Sequence, residues 1–185
     1  MMLKFLGLLI QLIISPAKGW EDIAAKGDDP RKICADGFYP LLGITACTVF
    51  IRHFYDIDAG LIELVQRAII TFIAYFASYF FASFMFSVFG RSMVEGELNE
   101  KKYHTYIIYN LSLLAVISII GNCIPMELSV VQFLPVFVLL VMWMGARYMC
   151  IKENSGVKYI FLSTIAILLP PYVLEFLFRR LLLHA

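Results

Sequence analysis

Long apolar stretches make up most of the chain, and short polar or glycine-containing segments separate them. A helix needs about 20 apolar residues to cross the roughly 30 Å hydrocarbon core of a bilayer. Five stretches approach or exceed that length: residues 38–54, 61–89, 103–121, 129–150 and 159–178. Because the connecting segments are short, consecutive helices should pack as antiparallel neighbours. The pattern therefore predicts an all-α integral membrane bundle of five transmembrane helices.

The first 15 residues follow a different pattern, in which one narrow polar stripe interrupts an apolar surface. At about 100° per residue, Lys4, Gly7, Gln11, Ser15 and Lys18 fall on the same side of a helix. A cleaved signal peptide is the alternative, but its basic region would be very short and the Ser-Pro-Ala-Lys-Gly that follows is a poor cleavage site. We therefore expect the segment to be retained as an N-terminal amphipathic helix that lies in the membrane interface or packs on the bundle.

The residues between this helix and the first span carry two local signals. Asp29 followed by Pro30 predicts a helix start, because aspartate accepts hydrogen bonds from the first turn and proline fits that turn without loss. Trp20 is expected to anchor the chain at the level of the lipid headgroups. Lys18, close to it, should be attracted to anionic lipid.

Aromatic residues cluster near the ends of the predicted spans, where amphipathic rings usually meet the headgroups. These residues are Phe38, Tyr39, Phe54, Tyr55, Tyr103, Tyr106, Tyr148 and Tyr159. An interfacial aromatic belt is the simpler interpretation, and a tyrosine-rich ligand site is the alternative.

Composition agrees with a membrane protein. Of the 185 residues, 61% are hydrophobic, against roughly 45–50% in soluble domains, and the mean hydropathy is +0.82. The formal net charge of +1 argues against nucleic acid as a partner. The four cysteines, Cys34, Cys47, Cys123 and Cys150, show no Cys-x-x-Cys or Cys/His spacing. They therefore predict neither a disulfide framework nor a metal site.

The distribution of lysine and arginine predicts the orientation, because these residues are enriched in cytoplasmic loops. One side of a five-span bundle would carry eleven of them, namely Lys4, Lys18, Lys26, Arg31, Lys32, Arg91, Lys101, Lys102, Arg147, Lys152 and Lys158. The other side would carry four, namely Arg52, Arg67, Arg179 and Arg180. We therefore expect a cytoplasmic N-terminus and a C-terminus outside.

Polar side chains at membrane depth are the first candidates for a functional role. Asn110 lies about two turns into the third span, and its amide should form a hydrogen bond across the bundle, with a substrate contact as the alternative. Glu175 precedes Arg179 by four residues, the spacing of a helical ion pair. We expect this pair to anchor the end of the last span rather than to relay protons. Pro170 and Pro171 free carbonyls one turn earlier and should kink that span.

Small residues recur at intervals of four along the second span, at Ala74, Ser78 and Ala82. Such a seam lets two helices approach closely where lipid supplies no hydrophobic drive. We expect it to pack another helix of the same chain, and a homodimer seam is the alternative.

The segment Ser-Pro-Ala-Lys-Gly-Trp-Glu-Asp-Ile, residues 15–23, stands before five spans and an outside C-terminus, and in this it resembles the YIP (Ypt/Rab-interacting protein) family. The likeness is to compact bacterial members. It implies a cytoplasmic or interfacial segment over residues 1–37 and a five-helix transmembrane domain over residues 38–185, in the bacterial inner membrane. Eukaryotic members interact with Rab-type GTPases, but the Asp-Leu-Tyr-Gly-Pro-like stretch that they carry is absent here, so no Rab partner is implied.

No catalytic arrangement emerges from the sequence, which has no His-Glu-x-x-His, Ser/His/Asp or glycine-rich phosphate motif. We therefore expect no enzyme activity, no cofactor and no metal. The sequence favours a membrane adaptor or organiser that binds lipid or protein partners at its cytoplasmic face, with self-association as an option. A small transporter with a polar path between its helices is the alternative.

Overall fold

The computed structural model describes residues 2–54, 60–124 and 129–182, with side chains for all of these except residues 129–132. The helical elements in these ranges are α1 (Met2–Ile14), α2 (Pro16–Lys26), α3 (Pro30–Phe54), α4 (Leu61–Phe89), α5 (Glu100–Cys123), α6 (Ser129–Ala146) and α7 (Glu153–Leu182). No strand occurs in these ranges, where a single isolated antiparallel bridge joins Val94 to Ile151. The fold is an all-α membrane bundle, as predicted.

Four of these helices, α3, α4, α5 and α7, are long and apolar enough to cross a membrane. The predicted fourth span corresponds to α6, which has 18 residues and a proline, Pro135, inside it. Large apolar side chains on α4 and α7 remain exposed, for example those of Phe84 and Phe176. Lipid would solvate these side chains. The total of five spans stays a prediction.

The helix that contains the first predicted span begins at Pro30, before that span. Asp29 Oδ1 accepts a hydrogen bond from the backbone N–H of Arg31 at 3.1 Å, and Pro30 occupies the first turn. The predicted helix start at Asp29 and Pro30 is therefore confirmed. The helix continues through a π-helical turn, Cys34–Phe38, into the first span. The predicted boundary between the N-terminal segment, residues 1–37, and the transmembrane domain, residues 38–185, therefore falls inside a continuous helix.

The last span contains a second π-helical turn, Thr164–Leu168, just before the two prolines. Proline has no N–H to donate to the carbonyl four residues before it. In a regular α-helix, the residues at positions 170 and 171 would donate to the carbonyl oxygens of Ala166 and Ile167. Both of these carbonyl groups lie in the π turn. The two prolines themselves are buried.

The N-terminal segment forms two helices rather than one. Ser15 leaves the helical conformation, with φ −145° and ψ 85°, and Pro16 starts α2. A residue before proline is driven away from helical dihedrals. The prediction of a single polar stripe from Lys4 to Lys18 was therefore wrong. Gln11 on α1 donates a hydrogen bond to Asp22 on α2, which links the two helices into a hairpin.

The hairpin belongs to the main hydrophobic core. Phe5, Leu8, Leu9 and Leu12 form the buried face of α1, and they share one core cluster with residues of the spans. The opposite side of α1 is also apolar and remains exposed. Its exposed fractions are 85% at Leu3, 55% at Ile10 and 78% at Ile14. A helix with two apolar faces can pack on the bundle and meet lipid at the same time.

The connections on the N-terminal side of the bundle touch one another. The 90–99 loop and the 147–152 loop are joined by the backbone hydrogen bonds Glu95 N–H to Cys150 O at 3.0 Å and Lys152 N–H to Met93 O at 3.1 Å. At the other end, Asn122 Nδ2 donates to Thr48 Oγ1 at 3.1 Å. The segments predicted to share one side of the membrane thus lie at one end of the molecule.

Candidate functional site

Trp20 lies inside the bundle and not at its lipid surface. Its side chain is 3% exposed, and its Nε1–H donates to the carbonyl oxygen of Val141 at 3.0 Å. The ring stacks on Tyr106 at 5.4 Å and on Tyr148 at 5.6 Å between centroids, with the edge of Tyr109 at 6.3 Å. The prediction of a headgroup anchor was therefore wrong, because neighbouring helices supply both the polar and the apolar partners of this ring.

Two glycines make room for the hairpin. A Cβ placed on Gly145 would lie 2.6 Å from Cε2 of Trp20, and one on Gly37 would lie 2.5 Å from the ring of Phe5. Real Cβ atoms do not come this close to ring carbons, so both positions require glycine if the rings are to stay in place. These contacts fix α1 against α3 and α2 against α6.

Several residues of the predicted aromatic belt also lie in the core. Phe38, Tyr106 and Tyr159 are fully buried, and Tyr103 is 5% exposed. The hydroxyl of Tyr106 donates to the carbonyl oxygen of Met142 at 3.1 Å. The belt interpretation was wrong for Phe38, Tyr106 and Tyr159, because their rings are fully buried among the helices. Tyr55 lies outside the described residues.

Asn110 is fully buried but does not bridge two helices. Its Nδ2 donates to the carbonyl oxygen of Tyr106, one turn earlier in α5, at 2.8 Å. The predicted interhelical bond was therefore wrong. Its Oδ1 has no hydrogen-bond partner among the described residues. A buried amide oxygen without a partner costs about 1–3 kcal/mol, so a water or ligand polar group would be stabilising there.

Glu175 forms the predicted pair with Arg179, whose Nη2 lies 2.6 Å from Glu175 Oε1. The same carboxylate oxygen accepts a hydrogen bond from Thr71 Oγ1 on α4 at 3.3 Å. The pair therefore joins α7 to α4 as well as adjacent turns of α7. A second helical pair, Glu63 with Arg67, borders the same groove as Arg179.

The small-residue seam of α4 is buried within the chain. Ala74, Ser78 and Ala82 are all 0% exposed, and Ser78 Oγ donates to the carbonyl oxygen of Ala74 at 2.6 Å. Packing against other helices of the same chain, as predicted, is confirmed. Because the seam is already covered, it offers no surface for the homodimer alternative.

A mixed-charge cleft of about 260 Å³ lies between α1, the α2–α3 connection and α3. Its charged lining residues are Lys4, Lys26, Asp28, Lys32 and Asp36. This cleft could not be predicted from the sequence, because only the return of the hairpin brings α1 next to α3. The one local signal was the i, i+4 placement of Lys32 and Asp36.

A polar cluster formed by Cys34, Tyr79 and His104 links α3, α4 and α5. Tyr79 OH on α4 lies 3.1 Å from Nδ1 of His104 on α5, and the thiol of Cys34 on α3 interacts with Tyr79 and Tyr39. The thiol is 4% exposed, so a dissolved substrate could not reach it. Among the described residues, no three His, Cys, Asp or Glu side chains come together as a metal site would require.

No protein-family model, curated protein or solved structure matches this chain. The resemblance to the YIP family therefore rests on residues 15–23 and on the predicted topology. Several of those residues have a structural role in the hairpin. Pro16 starts α2, and Asp22 accepts a hydrogen bond from Gln11. Trp20 and Ile23 are buried in the core.

Proposed function

We propose that this chain is a non-catalytic, multi-pass membrane protein of the YIP type that acts as an adaptor or organiser. It would span the bacterial inner membrane five times, with a cytoplasmic N-terminus and an outside C-terminus. Partners would be recognised by one surface, formed by the exposed residues of α2, the 90–99 loop and the 147–152 loop. We call this the loop-side surface.

The hydrogen bond from Trp20 to Val141 is the observation that supports this proposal most directly. It holds α2 against α6, so that the hairpin is a fixed part of the bundle instead of a tail. The bridge between Val94 and Ile151 holds the two loops together beside it. A surface whose parts are already ordered binds a partner with less entropic cost than separate flexible segments.

The hydroxyl groups inside the bundle favour a structural role over transport. Thr45, Ser78, Ser112 and Ser163 each donate to the carbonyl oxygen four residues earlier in the same helix, at 2.8, 2.6, 2.7 and 2.9 Å. Such bonds satisfy the hydroxyl without water. These side chains therefore give no sign of a hydrated path through the bundle. A polar substrate would need such a path.

Site-specific photocrosslinking in intact membranes tests the proposal. A photoreactive side chain at Lys18 and at Glu97, both exposed on the loop-side surface, should give the same discrete adduct. Matched positions at the opposite end, Leu61 and Arg180, should not give it. The adduct should weaken when Trp20→Ala frees the hairpin. Identical adducts from both ends would contradict a partner surface at the loops.

The transporter alternative has one observation in its favour, the bond between Thr71 and Glu175, which carries a carboxylate into the contact between α4 and α7. Proteoliposomes that contain a pH-sensitive dye test it. The adaptor proposal predicts the same proton flux under an imposed potential with and without the protein. A flux that requires the protein and is abolished by Glu175→Gln would favour the transporter.

A further inference from the structure

The mixed-charge cleft holds charges of both signs that do not neutralise one another. Its five charged side chains, Lys4, Lys26, Asp28, Lys32 and Asp36, are all exposed. Among the described residues, none of the five takes part in a salt bridge. Three ammonium groups and two carboxylates around one opening can receive a ligand that carries a negative and a positive group.

The floor of the cleft is apolar, and Lys4 at its opening follows an exposed apolar residue of α1. Phe5, Leu8, Ile33 and Tyr109 line it below the charges. Next to Lys4 in the sequence, Leu3 is 85% exposed, and further apolar positions of α1 follow on the exposed side. A ligand bound here would therefore meet charge at one end and a hydrocarbon surface at the other. That combination points to a lipid and not to a water-soluble molecule.

We propose that the cleft binds the headgroup of phosphatidylethanolamine. Lys4, Lys26 and Lys32 would donate hydrogen bonds to the phosphodiester, and Asp28 and Asp36 would accept them from the primary ammonium group. From the headgroup beside Lys4, the acyl chains would pass over the exposed Leu3 into the surrounding lipid. The cleft of about 260 Å³ far exceeds the roughly 10–15 Å³ that a single water requires, so it can take a group of several non-hydrogen atoms.

Other phospholipid classes fit these charges less well. Phosphatidylglycerol carries a phosphate but no cation, so both aspartates would remain without a partner beside a negative group. Phosphatidylcholine has a cation, but its quaternary ammonium has no N–H to donate to a carboxylate. The inference deepens the proposed function, on which it rests, by naming the lipid that an organiser of this kind would hold.

Native mass spectrometry of the full chain in detergent, with each of the three lipids added in turn, measures the preference. Lys4→Gln with Lys32→Gln removes two cations of the cleft, and Asp28→Asn with Asp36→Asn removes both carboxylates. The matched controls are Lys18→Gln with Lys158→Gln and Glu97→Gln with Glu153→Gln. These are exposed charges at the same end of the molecule but outside the cleft.

We expect phosphatidylethanolamine to bind most tightly. Its affinity should fall about fivefold for each lysine removed, since each contributes about 1 kcal/mol. The aspartate variant should lose the preference for phosphatidylethanolamine over phosphatidylcholine, and neither control should change it. Tighter binding of phosphatidylglycerol, or equal effects of the cleft and control variants, would overturn the inference. Competition by free O-phosphoethanolamine as effective as that by the lipid would also overturn it.

The two experiments can fail separately. If the lipid preference is absent while the photocrosslinked partner still appears at Lys18 and Glu97, only the lipid inference is wrong. If the lipid binds as expected and no partner is captured, the lipid site stands and the protein-adaptor part of the proposed function is wrong.

Discussion

The indole nitrogen of Trp20 lies 3.0 Å from the carbonyl oxygen of Val141, and 121 residues separate the two along the chain. A helical carbonyl normally accepts from the N–H four residues later, which for Val141 belongs to Gly145. A carbonyl oxygen has two lone pairs and can accept a second bond. Gly145 has no side chain to keep the indole away. One contact thus ties the N-terminal hairpin to α6.

Two substitutions at Trp20 should separate the contribution of its hydrogen bond to stability from that of its ring packing. Trp20→Phe keeps an aromatic ring but removes the N–H donor, and we expect a loss of about 1–2 kcal/mol. Trp20→Ala also leaves a cavity between Tyr106 and Tyr148 and should cost about 3–5 kcal/mol. Thermal unfolding in detergent measures both. A phenylalanine variant as unstable as the alanine variant would mean that the hydrogen bond, and not ring packing, dominates.

Gly145→Ala should destabilise the protein although alanine is the better helix former. The new Cβ would lie 2.6 Å from the Trp20 ring, so the ring must move away from its stacking partners. We expect a cost of about 1–3 kcal/mol, as for other overpacked sites. Gly43→Ala on α3 is the matched control, because a Cβ there meets nothing within 4 Å. It should be neutral or stabilising by up to about 1 kcal/mol.

A fluorescence measurement adds a local readout for Gly145→Ala. The other tryptophan, Trp143, is 53% exposed and can be replaced by phenylalanine. In that background the emission reports Trp20 alone, and Gly145→Ala should shift it towards that of a more solvated indole. An unchanged spectrum together with a normal melting temperature would show that the hairpin accommodates the Cβ.

The sequence predicted the long helices well because their length and hydropathy are strong local signals. Residues 61–89 were predicted as a span, and α4 runs over Leu61–Phe89. The seam of Ala74, Ser78 and Ala82 was also predicted, since helical spacing alone places these residues on one side. The pair of Glu175 with Arg179 followed from the same spacing.

Residues whose surroundings are set by distant parts of the chain could not be predicted in this way. A tryptophan next to a lysine before the first span has the pattern of a headgroup anchor. What buries Trp20 is the return of α2 onto α6, which no local pattern encodes. The mixed-charge cleft was missed for the same reason, because Lys4 and Asp36 become neighbours only in the folded hairpin.

Cysteine accessibility should report the proposed orientation. Cys150 is exposed in the 147–152 loop, which the positive-inside rule places in the cytoplasm. With the other three cysteines replaced by alanine, a membrane-impermeant maleimide should label Cys150 in inverted vesicles but not in intact spheroplasts. Labelling only from outside would reverse the orientation.

Fusions to the C-terminus test the number of spans independently. Five spans place the two termini on opposite sides, so alkaline phosphatase fused after Ala185 should be active and a fluorescent protein there should be dark. The reverse result, combined with cytoplasmic Cys150, would show that the chain after Cys150 does not end on the other side of the membrane, as the five-span topology requires.

Ser78→Leu should destabilise the bundle more than a substitution at a more peripheral position of α4. Ser78 is 0% exposed at the seam, so a leucine there must push neighbouring helices apart, and lipid offers no hydrophobic compensation for the lost contacts. Overpacking of this kind costs about 1–3 kcal/mol. Phe76→Leu should cost less, because Phe76 is 37% exposed and lies two residues away on another side of α4.

Ser87→Leu is the matched control for the chemistry of Ser78→Leu, because Ser87 is exposed on the same helix and also donates to a backbone carbonyl of its own helix. Both variants lose one such bond and gain the same apolar side chain, so their difference isolates the steric effect at the seam. We expect a clearly lower melting temperature in detergent for Ser78→Leu alone. If the two serine variants melt together, the close packing of α4 at Ser78 does not limit stability, and the seam would have no energetic role.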